Sequence, residues 1–398
     1  MVPQWLRIAM TTAVLVVLLQ RLTDQGHVCC PACTAGTLTR AEDVLPPAPV
    51  PSPPPPPAVT DSAPPASRDK AEAGASASDA CLSASVQRLS MPGDPVQAQR
   101  VFTYTSQGSG TSTDCQSSYT FPELNELFEP FCRDWVQLGR ERGWWSVLTN
   151  DEFDSANEEL PESTRVEFYA SGVGSIDHIH SIFAKAGVAV PGPQATVLDF
   201  GCGVARLTAA LSRKYEQVIC VDQSHVHLEL AQAEYDRMRR GDCDSARSLA
   251  HLPQSNTATF LLTGPNMLDR MGGTTVDMVI TLISLQHTVP PLMVAYLEQF
   301  CDVLAPGGIA YIHVPTFQPD YHVSKLGEPS VCDFKQFFSK PGATGRMQVH
   351  CLGDAQIQAH MDRRGCEMLY SEICSGTGVG KETCYVFRKR VPAASDQN

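Results

Sequence analysis

The stretch that most constrains this chain is Val197-Leu198-Asp199-Phe200-Gly201-Cys202-Gly203-Val204-Ala205-Arg206. Its apolar residues and acid read as the end of a buried strand. Gly201 and Gly203 let the backbone turn sharply and leave room for a ligand against it. Val204 to Tyr215 then reads as a helix with Leu207, Ala210 and Leu211 on one face. From Thr196 onward strand and helix alternate. Strands read at 196–200, 218–222, 258–262, 277–283, 309–314, 366–373 and 382–388, and helices at 204–215, 224–240, 291–304 and 353–364. The stretch 265–271 holds at most one turn. This pattern predicts an α/β fold, a doubly wound, mostly parallel seven-stranded sheet covered on both faces.

A strand, a glycine turn and a helix are also the first unit of a nucleotide-binding sheet. A dinucleotide site wants Gly-x-Gly-x-x-Gly with phosphate on the helix N-terminus. Here Arg206 stands where the third glycine would be, and Asp199 falls two residues before the first. An anion at the turn suits a cationic ligand better than a pyrophosphate. Asp199, Gly201, Gly203 and Ala205 together resemble the first motif of the class I S-adenosylmethionine-dependent methyltransferases. The resemblance implies S-adenosylmethionine as cofactor, with Asp199 and the glycine turn at its methionine end. It also implies seven strands, the last antiparallel to the rest. A nicotinamide-dependent oxidoreductase, or a non-catalytic scaffold of the same fold, is the alternative.

Val218 to Asp222 is a second apolar strand ending in an acid. A carboxylate there can accept two hydrogen bonds from a ribose diol; the plain alternative is a helix-start acid. Gln223 joins Asp222 among the cofactor-binding candidates, and Ser224 is placed to cap the next helix. After the third strand, the resemblance puts Asn266 at the adenine edge and Met267 against the ring. The family's usual acid is absent there, and plain loop residues are the alternative. The fourth strand runs into Ser284-Leu285-Gln286-His287-Thr288. His287 then sits at the carboxyl edge of the sheet, where ligands bind in open α/β folds. An imidazole with a pKa near 6.5 can take a hydroxyl proton at neutral pH; otherwise His287 is a structural residue bonding backbone around the pocket. Pro306-Gly307-Gly308 makes a sharp reversal into the fifth strand. The segment from Thr316 to Met347, with Tyr321 and His322, is expected to line the acceptor pocket. Gly376 to Gly380 reads as a hairpin loop.

Upstream, Leu124, Leu127, Phe128, Phe131, Trp135 and Leu138 fall on one helical face. A second helix from about Pro161 to Ala186 is expected to break near Ser171-Gly172-Val173-Gly174. Trp145-Ser-Val-Leu followed by Phe168-Tyr169-Ala-Ser171-Gly172 resembles the N-terminal cap of small-molecule and glycan methyltransferases. Residues 121–190 are therefore expected to be a helical cap, and 191–390 the methyltransferase domain, with order beginning near Phe121. Residues 46–65 contain 11 prolines, an extended spacer that cannot build a core. Residues 66–118 are poor in large apolar side chains, so 23–120 is expected to be a disordered stem.

Residues 1–22 hold two arginines, no acid, and an uncharged run from Ile8 to Leu19. That run fits a signal-peptide core; counted as 5–22 it suits an uncleaved signal anchor. An organelle transit sequence is the remaining reading. The expectation is a secretory-pathway membrane protein, or a secreted one, acting on a small-molecule or glycan substrate at oxygen. A net charge of -13 argues against nucleic acid as partner, since phosphate contacts need clustered Lys and Arg. Of the 15 cysteines, Cys29, Cys30 and Cys33 cluster; the other twelve show no zinc-like spacing, so no metal site is expected. Cys202 and Cys220 read as small core residues.

Overall fold

A computed structural model describes residues 99–106, 115–154, 160–241, 255–318, 334, 347–374 and 380–392. The apolar N-terminus, the Pro-rich stem, Cys29, Cys30, Cys33, Tyr321, His322, most of the expected acceptor-pocket segment and the loop up to Val379 lie outside the described residues.

Order begins earlier than the composition suggested. β1 (Val101–Ser106) and β2 (Cys115–Thr120) pair antiparallel within the stretch expected to be disordered. Side-chain alternation stabilises the pair even though few of its residues are large and apolar. Phe102 and Tyr104, two apart, are both buried, as is Tyr119 opposite Phe102. Phe102 meets Phe121 edge to face at 4.9 Å between ring centres. Arg100, just before β1, bonds Glu298 at 2.7 Å and Asp302 at 2.6 Å.

α1 (Phe121–Arg142) starts where Glu123 folds back to accept the amide of Thr120 at 2.8 Å. Its expected apolar face is buried, apart from half-buried Trp135. α2 (Glu162–Lys185) is one unbroken helix, contrary to the break expected at its glycines. Gly172 is there for space, not flexibility. A side chain at 172 would collide with the backbone carbonyl of Arg206, so its absence lets α2 lie directly on the helix after the glycine turn.

That helix is α3 (Arg206–Leu211), shorter than expected. The elements in order are β3 (Thr196–Phe200), α3, β4 (Gln217–Asp222), α4 (His225–Arg240), β5 (Thr257–Leu262), the one-turn α5 (Leu268–Met271), β6 (Val276–Thr281), a 3-10 turn (Leu285–His287), α6 (Pro290–Val303), β7 (Leu304–Phe317), α7 (Asp354–Arg363), β8 (Cys366–Cys374) and β9 (Lys381–Lys389). Strand order is β5-β4-β3-β6-β7-β9-β8. All neighbours are parallel except β9, which is antiparallel to both β7 and β8. The expected reversal at Ala305–Gly308 is a bulge within β7: Val276 faces Leu304, while Met278 faces Ile309.

Successive residues of β3 face opposite layers, which is why the strand is apolar on both sides. Val197 packs with Ile176, Ile179 and Phe183 of α2, and Leu198 and Phe200 with Tyr296 and Phe300 of α6. The chain leaves β3 for β4 on one side and reaches β6 on the other, so the crevice between the carboxyl ends of β3 and β6 is the topological switch point.

Three disulfides are present among the described residues: Cys202–Cys220, Cys301–Cys366 and Cys374–Cys384. Cys202 and Cys220 are thus buried, as expected, but bonded to each other. No described helix is long and apolar enough to cross a membrane.

Candidate active site

The glycine turn is held by the end of β4. Gly201 and Cys202 both donate their amides to the carbonyl of Val221, at 2.7 and 3.2 Å. Gly203 donates its amide to Asp222 Oδ2 at 2.9 Å. Gly201 (φ 72°), Gly203 (φ 54°) and Ala205 (φ 65°) are all left-handed. For Ala205 this conformation costs about 1–2 kcal/mol, strain of the kind that collects at functional sites. The glycines do not leave open space where their side chains would stand. A Cβ at 201 would strike Ser284, and one at 203 would come within 2.6 Å of Val147 Cγ2. The turn is therefore closed over by the loop after β6 and by the segment after α1, a correction to the open cradle expected from the sequence.

Asp199 and Asp222 are both buried beneath this turn. Asp199 Oδ2 accepts the Thr208 hydroxyl at 2.6 Å. Burial pushes its carboxyl up to about 6, against the Thr208 bond and the Arg206 guanidinium, with Asp222 adding to the rise. Burial also raises Asp222 to about 6, against amide bonds from Ser224, Gly203 and Gln223. Arg206, the residue that breaks the dinucleotide pattern, is buried too and bonds Ser175 Oγ at 3.0 Å, on α2. Burial thus favours the neutral form of both carboxyls, and acids perturbed in this way collect at functional sites.

Gln223 follows Asp222 and is half-buried. Gln299 on α6 pins the loop after β5, accepting the amide of Met267 at 2.6 Å and donating to the Pro265 carbonyl at 2.8 Å. Met267 is fully buried in the main core. Asn266 Oδ1 is buried and has no hydrogen-bond partner. It is an acceptor awaiting a donor, as an exocyclic amine would supply. The three sequence-chosen groups thus lie at the carboxyl ends of neighbouring strands: Asp199 one residue before the end of β3, Asp222 at the end of β4 and Asn266 in the loop after β5.

His287 lies at the carboxyl end of β6, as expected, but its environment is not that of a free imidazole. Burial lowers its pKa to about 4, well below the 6.5 assumed from sequence. Nδ1 is 3.0 Å from the Gln348 carbonyl, which can only accept, so Nδ1 carries the proton. Nε2 is then an acceptor and takes a bond from Gln286 Nε2 at 3.1 Å, leaving Gln286 Oε1 buried without a partner. Trp135 stands edge-on between His287 and His227, with ring centres 5.1 and 5.9 Å away. His227 bridges Ser146 at 2.7 Å and Ser224 at 2.8 Å. Trp135, Gln286 and Ser284 were not among the sequence candidates. Trp135 is visible in the sequence only as one more member of an apolar helical face.

Two buried acids, Asp199 and Asp222, and the orphaned Asn266 Oδ1 fit S-adenosylmethionine, which carries an ammonium, a sulfonium, a ribose and an adenine but no phosphate. His313, Cys374 and Cys384 also gather within 4.8 Å, but the two cysteines are joined to each other.

Residues 197–308 match the family model described as a methyltransferase domain. Among solved structures, magnesium protoporphyrin IX methyltransferase from Synechocystis PCC 6803 with bound SAH is 16% identical, with a TM-score of 0.40 over 64% of this chain and 99% of its own. The N-methyltransferase NodS from Bradyrhizobium japonicum WM9 is 14% identical, with a TM-score of 0.38 over 64% and 98%. A cyclopropane synthase from Mycobacterium tuberculosis is 11% identical, with a TM-score of 0.39 over 68% and 99%. No curated protein matches the chain.

Proposed function

We propose that this chain, whose residues 197–308 match a methyltransferase domain, is a class I S-adenosylmethionine-dependent enzyme that methylates a hydroxyl oxygen of a small-molecule or glycan acceptor. The cofactor supplies an electrophilic methyl group on a sulfonium. What remains for the protein is to place the nucleophile, exclude water and accept a proton.

In this reading Asp222 accepts from the ribose diol, Asn266 Oδ1 accepts from the adenine edge, and Asp199 with the Gly201–Gly203 turn faces the ammonium end. Gln223 and Ala205 complete that wall with backbone. One observation carries the choice of oxygen: the Gln348 carbonyl fixes the His287 proton on Nδ1, so Nε2 faces its surroundings as an acceptor. An acceptor hydroxyl that displaces Gln286 from Nε2 would be oriented by it and would lose its proton to it as the new C–O bond forms. Half-buried Trp135 beside His287 supports a sugar or ring-bearing acceptor, since an indole packs on apolar C–H faces.

A panel of hydroxyl, amine and thiol acceptors with methyl-labelled cofactor tests this. Label recovered on oxygen, and lost in His287→Ala, supports the reading. Label on nitrogen or carbon alone rejects it.

We further propose that the enzyme works in the secretory pathway, membrane-anchored or secreted. Three disulfides support an oxidising compartment, where such bonds persist. Finding all six cysteines as thiols in protein alkylated in intact cells would overturn this.

A further inference from the structure

The Cys202–Cys220 disulfide occupies a singular place. Cys202 is the residue between the two pocket glycines, and Cys220 lies two residues before Asp222 on β4. Their Cα atoms are 5.5 Å apart, and both side chains are buried against Leu228, Phe260 and Leu262. Every amide of the turn, from Gly201 to Gly203, is directed at Val221 or the Asp222 carboxylate. The covalent link and these three hydrogen bonds therefore join the same two segments.

A Gly-x-Gly turn is otherwise among the least restrained kinds of backbone, because each glycine has more conformations to lose than any other residue. If the turn were loose before binding, the ligand would have to order it, and affinity would fall by that cost. We infer that the Cys202–Cys220 disulfide is a positioning element of the cofactor site, pre-organising the glycine turn against Asp222 so that cofactor affinity depends on the bond. The inference rests on the cofactor site assigned above. Of the disulfides between described residues, the other two join α6 to β8 and β8 to β9, and neither includes a residue of that turn.

Calorimetry with S-adenosylhomocysteine on the full chain tests it. Cys202→Ala/Cys220→Ala is expected to bind about tenfold or more weakly, the entropy of ordering a freed turn. Cys301→Ala/Cys366→Ala is expected to lower Tm but bind as wild type. Equal affinity in the 202/220 variant overturns the inference, while no binding by wild type overturns the site itself. A second measurement needs no variant. Dithiothreitol supplies two electrons and two protons, opening a disulfide to two thiols and closing its own. Binding and bond are coupled reciprocally, so at redox equilibrium saturating S-adenosylhomocysteine should shift Cys202–Cys220 toward the disulfide by the same factor and leave Cys374–Cys384 unaffected. Equal protection of both pairs, or of neither, refutes a positioning role. So does peptide mapping that finds Cys202 joined elsewhere.

Discussion

Gly172 of α2 lies so close to Arg206 of α3 that any side chain at 172 would overlap the Arg206 carbonyl. The helical cap and the glycine turn are thus in direct backbone contact. Tyr169, one turn earlier, reinforces the contact by donating its hydroxyl to the Val204 carbonyl at 3.0 Å.

Gly172→Ala is expected to destabilise the fold by about 1–3 kcal/mol, since overpacking forces backbone to move. Gly174, two residues on, is exposed with nothing near its missing side chain. Gly174→Ala should therefore stabilise by about 0.5–1 kcal/mol through helix propensity. Denaturant unfolding of the two variants gives opposite signs if this packing is right.

Asp199 and Asp222 both have their pKa raised to about 6. The ligand's ammonium pairs with the carboxylate form, so S-adenosylhomocysteine affinity should decline as pH drops through 6. Binding near pH 6 should release protons, which calorimetry in buffers of different ionisation enthalpy will detect. Stability without ligand runs the other way. Folded protein holds these protons more tightly than unfolded protein, so their contribution is complete below about pH 4 and is lost as pH rises through 6.

His287 is expected to give no ionisation near 6.5, because burial lowers its pKa to about 4. The kcat profile should be flat in His287 between about pH 5.5 and 8. His287→Gln should reduce kcat by about a hundredfold or more while leaving S-adenosylhomocysteine affinity intact. A kcat that follows a group of pKa 6.5, and loses that dependence in His287→Gln, would contradict this environment.

Arg100 is nearly buried and ties the β1–β2 hairpin to Glu298 and Asp302 on α6. Arg100→Ala should destabilise by about 1.5–3 kcal/mol, because it removes charged hydrogen bonds while His360 and Arg363 still face Glu298 and Arg364 still pairs with Asp302. Thermal unfolding measures this. A loss below about 1 kcal/mol would place the pair among ordinary surface bridges.

The elements legible in the sequence were those with a local signature. The order of strands and helices, the apolar face of α1 and the acids at the ends of β3 and β4 follow from spacing alone. The hairpin was missed because its burial depends on α6, far away in sequence, as well as on the adjoining α1. The break in α2 was wrongly expected because glycine signals either freedom or close approach, and only a neighbour decides which. His287 was found, but its pKa was not, since burial is a property of the assembled pocket.

By itself, then, the sequence determined the mostly parallel sheet and the acids at its strand ends, because backbone periodicity and glycine sterics act within a few residues. Tertiary structure alone decided how tightly the glycine turn is closed, which cysteines bond, and which nitrogen of His287 is the acceptor. Those outcomes depend on contacts between residues 10 to 83 positions apart, whose distances no local pattern encodes.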